Sequence, residues 1–157
     1  MFNQDEHTKW MKFAYNEAVK AYKADEVPIG SIIVLDNKII GRGYNKVESL
    51  SDSTAHAEII SITSAANFLN DWRLENCSIY VTKEPCVMCY GAIINSRIKN
   101  IYYGLSDSDN GFRNLVSKEK ILGNNHIENI EGDILEFDCK KIIQDFFASK
   151  RKINKKS

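Results

Sequence analysis

Thr54-Ala55-His56-Ala57-Glu58, followed about one βαβ unit later by Glu84-Pro85-Cys86-Val87-Met88-Cys89, decides how this chain is read. Imidazole and thiolate are the ligands zinc favours. A site with protein ligands at three positions keeps its fourth open for water, as catalytic rather than structural zinc sites do. His56, Cys86 and Cys89 are the candidate ligands. Cys86 and Cys89 are three residues apart, so on a helix both thiols share one face of the first turn. The unpaired N–H groups and positive dipole end there favour thiolate. Pro85 stands where a helix starts, the position at which its missing N–H goes unnoticed. Glu58, two residues from His56, points elsewhere on its helix and suits an acid/base acting beside the metal. A Cys-x-x-Cys pair alone is equally a redox pair or half of a zinc ribbon. A ribbon needs a second pair, which Cys77 and Cys139 do not form, and a redox pair needs neither the upstream His-Ala-Glu nor the proline.

Outward from these stretches, apolar spacing predicts a helix over 7–24, stopped by Val27-Pro28-Ile29-Gly30. Residues 31–35 and 38–44 read as a β-hairpin turning at Asp36-Asn37, with Asn45 just beyond it. A polar segment, 46–53, leads to the His56 helix, which runs to about 69 and ends at Asn70-Asp71. Residues 78–82 read as a buried strand feeding the Cys86 helix, which runs to about 95, and 100–103 as another strand. A loop follows over 105–111. Residues 119–125 are ambiguous, 127–130 are a possible fifth strand, and 133–151 close the chain as a helix. The interleaving predicts an α/β fold: three α/β/α layers around a central mixed five-stranded sheet. If neighbouring parallel strands feed the two motif helices, their N-termini meet at the carboxyl edge of the sheet, where such folds build sites. A single domain is expected over 1–157, with 133–157 as a C-terminal helix and basic tail.

Lysine plus arginine and aspartate plus glutamate balance at 21 each, so net charge points to no polyanion. The distribution says more: residues 117–138 hold six acids and two lysines, and 140–157 hold seven basic residues and one acid. A solubilising tail is the simplest reading of the basic end. No apolar run approaches the roughly 20 residues of a membrane span, and Met-Phe-Asn-Gln-Asp-Glu is acidic, unlike a signal peptide. A reduced, cytoplasmic protein without a membrane partner is expected, and Cys77 and Cys139 read as small buried residues.

His-x-Glu followed by Pro-Cys-x-x-Cys is the zinc nucleobase-deaminase signature, and the chain resembles the cytidine and nucleoside deaminase superfamily, within it the bacterial tRNA adenosine deaminases. The resemblance runs through Glu26-Val27-Pro28-Ile29-Gly30, Gly43-Tyr44-Asn45, both motif stretches, Asp71-Trp72-Arg73-Leu74, Gly91-Ala92-Ile93, Ser96-Arg97-Ile98 and Tyr103-Gly104. At the end, Glu131-Gly132-Asp133-Ile134-Leu135, Asp138-Cys139 and Asp145-Phe146-Phe147 with Arg151 resemble the closing helix of the tRNA enzymes. The resemblance implies a cytidine deaminase-like fold and one Zn2+ per subunit. It also implies a homodimer that flips the wobble adenosine of a tRNA anticodon arm into the zinc pocket and releases inosine. Asn45 matches a residue bonding the base, Asp107 the acid of the substrate loop, and Phe146, Phe147 and Arg151 the aromatic and basic residues beside RNA. On this reading the basic tail becomes a backbone-contacting surface.

Departures from the pattern gather on the substrate side. Ser53 stands where proline is usual, Tyr90 where a small residue follows the second cysteine, and Asp107-Ser108-Asp109-Asn110-Gly111-Phe112-Arg113-Asn114 replaces a basic, then small-residue loop. Asp109 puts negative charge where phosphate approaches, while Phe112 and Arg113 offer a ring to stack on a base and a guanidinium to grip phosphate. Two other readings stand beside RNA deamination: a small-molecule deaminase acting on guanine, cytosine or a related nucleobase or nucleoside, and a zinc-stabilised RNA-binding scaffold, for which Glu58 has no use.

Overall fold

A computed structural model describes residues 4–123 and 126–156; the last two positions of the ambiguous 119–125 stretch and both extreme termini lie outside these. The elements in chain order are α1 (Gln4–Lys23), β1 (Gly30–Leu35), β2 (Lys38–Tyr44), α2 (Val47–Leu50), α3 (Ala57–Leu69), β3 (Ser78–Lys83), α4 (Val87–Asn95), β4 (Asn100–Leu105), α5 (Phe112–Leu115), α6 (Lys118–Leu122), β5 (Asn129–Glu131) and α7 (Glu136–Asn154). The strands form one mixed five-stranded sheet in the order β2-β1-β3-β4-β5. β1 is antiparallel to β2 and β3, whereas β3, β4 and β5 run parallel.

Both faces of the sheet are covered, and strand alternation divides the core between them. Ile33, Ile79, Val81, Ile101 and Tyr103 belong to the cluster that also holds Ala65 of α3 and Ile93 of α4. Their neighbours Ile32, Val34, Tyr80 and Tyr102 meet Trp10, Met11 and Ala14 of α1 and Cys139 of α7 on the other face. The hairpin turns at Asp36 and Asn37, both at positive φ (47° and 59°), the pairing a tight I′ turn requires. No described helix is long and apolar enough to cross a membrane.

Two features of the sheet place the motif helices. The strands feeding α3 and α4, β2 and β3, are parallel in direction but not neighbours as expected, because β1 lies between them. Two strand spacings span about 9.6 Å, which matches the 8–10 Å at which helices pack side by side. The intervening strand therefore sets the helix spacing. Gly43 of β2 then lets α3 lie against the strand: a Cβ there would come 2.5 Å from the Ala57 carbonyl oxygen and 2.6 Å from the Ser61 nitrogen. Other boundaries differ from the sequence expectation. The polar 46–53 segment contains α2, the loop after β4 gives way to α5 and α6, and the closing helix begins at Glu136 because Asp133 and Leu135 adopt left-handed backbone (φ 63° and 57°).

Candidate active site

His56 and Cys86 are the N-caps of α3 and α4, one residue before the first helical turns in which the sequence suggested them. Each has extended backbone (ψ 154° and 172°), and neither side chain caps its own helix. That leaves both side chains available to face each other. Cys89 lies one turn into α4 and is buried. The His56 Nδ1 atom is 3.7 Å from Cys86 Sγ and 3.5 Å from Cys89 Sγ, and all three candidate ligand atoms fall within 4.8 Å of one another. A tetrahedral shell with zinc-like bond lengths has N···S edges of about 3.6 Å. The group could therefore hold a metal ion without rearrangement.

The electrostatics agree with a ligand set. The Cys86 thiol is held well below its ordinary range, first by the hydrogen bond from Cys89 and then by His56. Cys89 is correspondingly raised by its neighbour and by burial. Glu58, on the first turn of α3, is 4% exposed. Burial raises its carboxyl above the ordinary range, so it holds a proton more readily than a solvated glutamate.

These groups open onto a cavity of ≈ 160 Å³ lined by His56, Glu58, Cys86, Asn45, Lys83 and Asp107, with Ile29 and Ala57 as apolar wall. The Asn45 side chain is fixed by donating to the Val27 carbonyl (3.3 Å) and accepting from Val47 N–H (3.2 Å). Asp107 Oδ1 accepts from the Asp109 and Asn110 N–H groups (3.1 Å each), and Oδ2 pairs with Lys83 Nζ at 2.8 Å. Desolvation alone would raise the Asp107 carboxyl, but Lys83 and those N–H groups hold it below the ordinary range.

Phe146 and Phe147 lie away from this cavity, lining a second cleft of ≈ 580 Å³ with Val27, Glu48, Ser49 and Lys150. Val27 belongs to its lining and also binds the Asn45 side chain, so one segment connects the clefts. Phe146 is buried against Tyr22, and Phe147 is exposed. Arg151 is exposed on α7 and lines neither cleft. Lys150 is paired with Asp25.

The substrate loop differs from its sequence reading. Phe112 is fully buried, stacked on Tyr90 with centroids 4.4 Å apart and planes 5° from parallel, so its ring does not reach a ligand. Arg113 stays exposed, its guanidinium donating to the Tyr103 hydroxyl (3.1 Å). Two carboxylates that anchor the site were not singled out from the sequence. Glu84 accepts from Asp107 N–H (2.9 Å) and Arg113 N–H (3.0 Å), and a Cβ on Gly111 would strike its carboxyl carbon at 2.4 Å. Glu26, 1% exposed, accepts from Glu48 and Ser49 N–H groups and holds α2 beside Asn45. Each precedes a proline, in Glu84-Pro85 and Glu26-Val27-Pro28, and that was the only local signal.

Comparison with known proteins gives a consistent grouping. Residues 5–151 match the MafB19-like deaminase family. A tRNA-specific adenosine deaminase of Buchnera aphidicola subsp. Schizaphis graminum is 44% identical over 149 residues, 95% of this chain and 97% of that protein. A solved structure from a study of A-to-I editing by tRNA:A34 deaminases at the wobble position of transfer RNA superposes with a TM-score of 0.78. It is 38% identical and covers 86% of this chain and 99% of its own. Guanine deaminase from Bacillus subtilis is 37% identical with a TM-score of 0.61, over 64% of this chain and 65% of that one.

Proposed function

Because the chain belongs to the MafB19-like deaminase family, with a curated tRNA-specific adenosine deaminase among its full-length relatives, we propose that it hydrolyses the wobble adenosine of a tRNA anticodon to inosine. The observation carrying this is that His56, Cys86 and Glu58 line one cavity, with Cys89 grouped beside His56 and Cys86, in a chain similar to such an enzyme over nearly its whole length. The Bacillus subtilis guanine deaminase is 37% identical over a smaller share of the chain, 64%, and supports the small-base reading less well.

His56, Cys86 and Cys89 would hold zinc, one ion per subunit, since two thiolates and an imidazole suit it and the spacing accommodates it. Bound there, zinc supplies Lewis-acid activation of water near neutral pH. Glu58 takes the proton released as water adds at C6 and passes it to the adjacent ring nitrogen. It then takes the proton of the C6 hydroxyl as the carbonyl forms and delivers it to the departing amine, so that adenosine and water become inosine and ammonia. Its burial suits this duty, because a carboxyl raised above its ordinary range is a better proton acceptor than a solvated one. Asn45, locked at both ends of its amide, presents a fixed edge to the base. A cavity of ≈ 160 Å³ corresponds to about five water volumes, the scale of one flat heterocycle. Phe147 offers an exposed ring to a neighbouring base, with Phe146 as the floor beneath it and Arg151 reaching phosphate further along α7. A cytoplasmic homodimer completes the proposal; Phe68, Trp72, Val87 and Met88 are large exposed apolar groups available for such an interface.

Inosine formation by the zinc-loaded protein on an anticodon stem-loop with a wobble adenosine tests this reading. Free guanine, cytosine, adenine and their nucleosides run in parallel. Conversion of the stem-loop is expected; conversion of a free base alone would replace the proposal with a small-molecule deaminase.

A further inference from the structure

The cavity sets an electrostatic difficulty for a polyanionic substrate. Glu58, Glu84 and Asp107 all line it, and Asp109 stands on the adjoining loop. A base inserted into such a pocket carries its flanking phosphodiesters to the mouth, where they meet negative charge. Among the described residues that line the cavity, Lys83 is the one lysine or arginine.

We propose that Lys83 is a specificity-determining residue of this site, its ammonium receiving a phosphodiester that flanks the inserted base and so favouring a polynucleotide over a free base or nucleoside. The proposal rests on the RNA reading above. Lys83 is the last residue of β3, in register with Leu105 of β4, so the sheet fixes the root of its side chain. Its ammonium is held by Asp107 Oδ2 at 2.8 Å, yet the side chain is 31% exposed. An ammonium has three N–H donors, more than the one ion pair uses, and the side chain both lines the cavity and reaches solvent. Both Asp107 oxygens are engaged, Oδ1 by two backbone N–H groups and Oδ2 by Lys83. Both Glu84 oxygens are engaged as well, by the Asp107 and Arg113 N–H groups. The two carboxylates beside the rim therefore position the cation and its loop, and Lys83 presents the positive charge. Lysine suits phosphate as a point charge, with no demand for bidentate geometry.

The simpler role for Lys83 is to pin the 107–111 loop through Asp107, and the experiment separates the two. Single-turnover kcat/KM on the stem-loop is measured for wild type, Lys83→Met and Lys83→Arg over about 50 to 200 mM salt. A second series carries a neutral methylphosphonate at either phosphate flanking the wobble adenosine. Lys83→Met should lose roughly tenfold at low salt, with a log–log salt slope shallower by about 0.7, and Lys83→Arg should restore the slope. Methylphosphonate at one flank should lower the wild-type rate by a similar factor and leave Lys83→Met unaffected, the non-additivity of a shared contact. Parallel salt lines with equal methylphosphonate sensitivity in wild type and Lys83→Met would reduce Lys83 to a loop pin and overturn the proposal. If Lys83→Met does not fold, wild type alone decides, since indifference to methylphosphonate at both flanks overturns it. Wild type that converts only a free base is a separate result, which removes the RNA reading and the proposal together.

Discussion

Replacing Glu84 by glutamine should loosen the substrate loop without emptying the metal site. The Glu84 carboxylate accepts the Asp107 and Arg113 N–H groups at 2.9 and 3.0 Å and is 6% exposed, so water does not share the task. Glutamine has the same shape but keeps one acceptor oxygen and turns an amide N–H toward the second backbone donor. A hydrogen bond to a charged group contributes about 1.5–3 kcal/mol, and a buried donor left facing a donor adds to the loss. The substitution should therefore destabilise by about 2–4 kcal/mol. At ~2–4 °C per kcal/mol for a chain of this size, melting should fall by roughly 4–16 °C. The hydrogen-bond partners of the changed atoms are Asp107 and Arg113 rather than His56, Cys86 or Cys89, so metal content should hold, while exchange of the Asp107 and Arg113 amides speeds up and KM rises. Thermal melting, metal analysis, amide hydrogen exchange and steady-state kinetics read these four quantities. Wild-type protection at both amides would show that the loop is held by something else. Loss of metal in step with stability would show that Glu84 acts on Cys86 through Pro85 instead.

Two further outcomes follow from the metal centre. Glu58→Ala should retain zinc and lose deamination by roughly 10²–10⁴-fold; a variant that deaminates at the wild-type rate would remove Glu58 from the chemistry. Chelation should lower the melting temperature, because metal binding is linked to folding, and should expose Cys86 to iodoacetamide. Hydrogen bonding from Cys89 holds the Cys86 thiol low, whereas burial pushes Cys77 up to about 11 and Cys139 up to about 12. Mass spectrometry should thus find Cys86 modified first near neutral pH, and uniform labelling of Cys77, Cys86 and Cys139 would contradict the arrangement.

The grouping of His56, Cys86 and Cys89 was legible in the sequence because its information is local. Cys86 caps the helix whose first turn holds Cys89, His56 caps the one whose first turn holds Glu58, and proline stands just before one of those caps. The hairpin was legible for the same reason, since Asp36-Asn37 dictates its turn. What could not be read were relations between distant segments. The insertion of β1 between the two strands that feed α3 and α4 is a matter of pairing, on which strand composition is silent. α5 and α6 have four and five residues, too few for a helical period to show. Glu84 looked like part of a motif because its partners lie 23 and 29 residues further on.

The substrate loop carries this furthest. In the sequence, Tyr90 and Phe112 are two separate departures, a bulky residue where a small one is usual and an aromatic in a polar loop. In the fold they are one contact, two rings 4.4 Å apart and nearly parallel, with Tyr103 meeting Phe112 edge-on at 82°. Each explains the other: Tyr90 supplies the surface that buries Phe112, and Phe112 covers Tyr90. The loop is therefore clamped twice, by an apolar pin into the core and by the Glu84 carboxylate bonded to Asp107 and Arg113. A loop held that firmly is a poor lid for a small ligand, which would need to open and close over it. It serves better as a rigid rim that holds Asp107 in the cavity wall, where it pairs with Lys83 of β3.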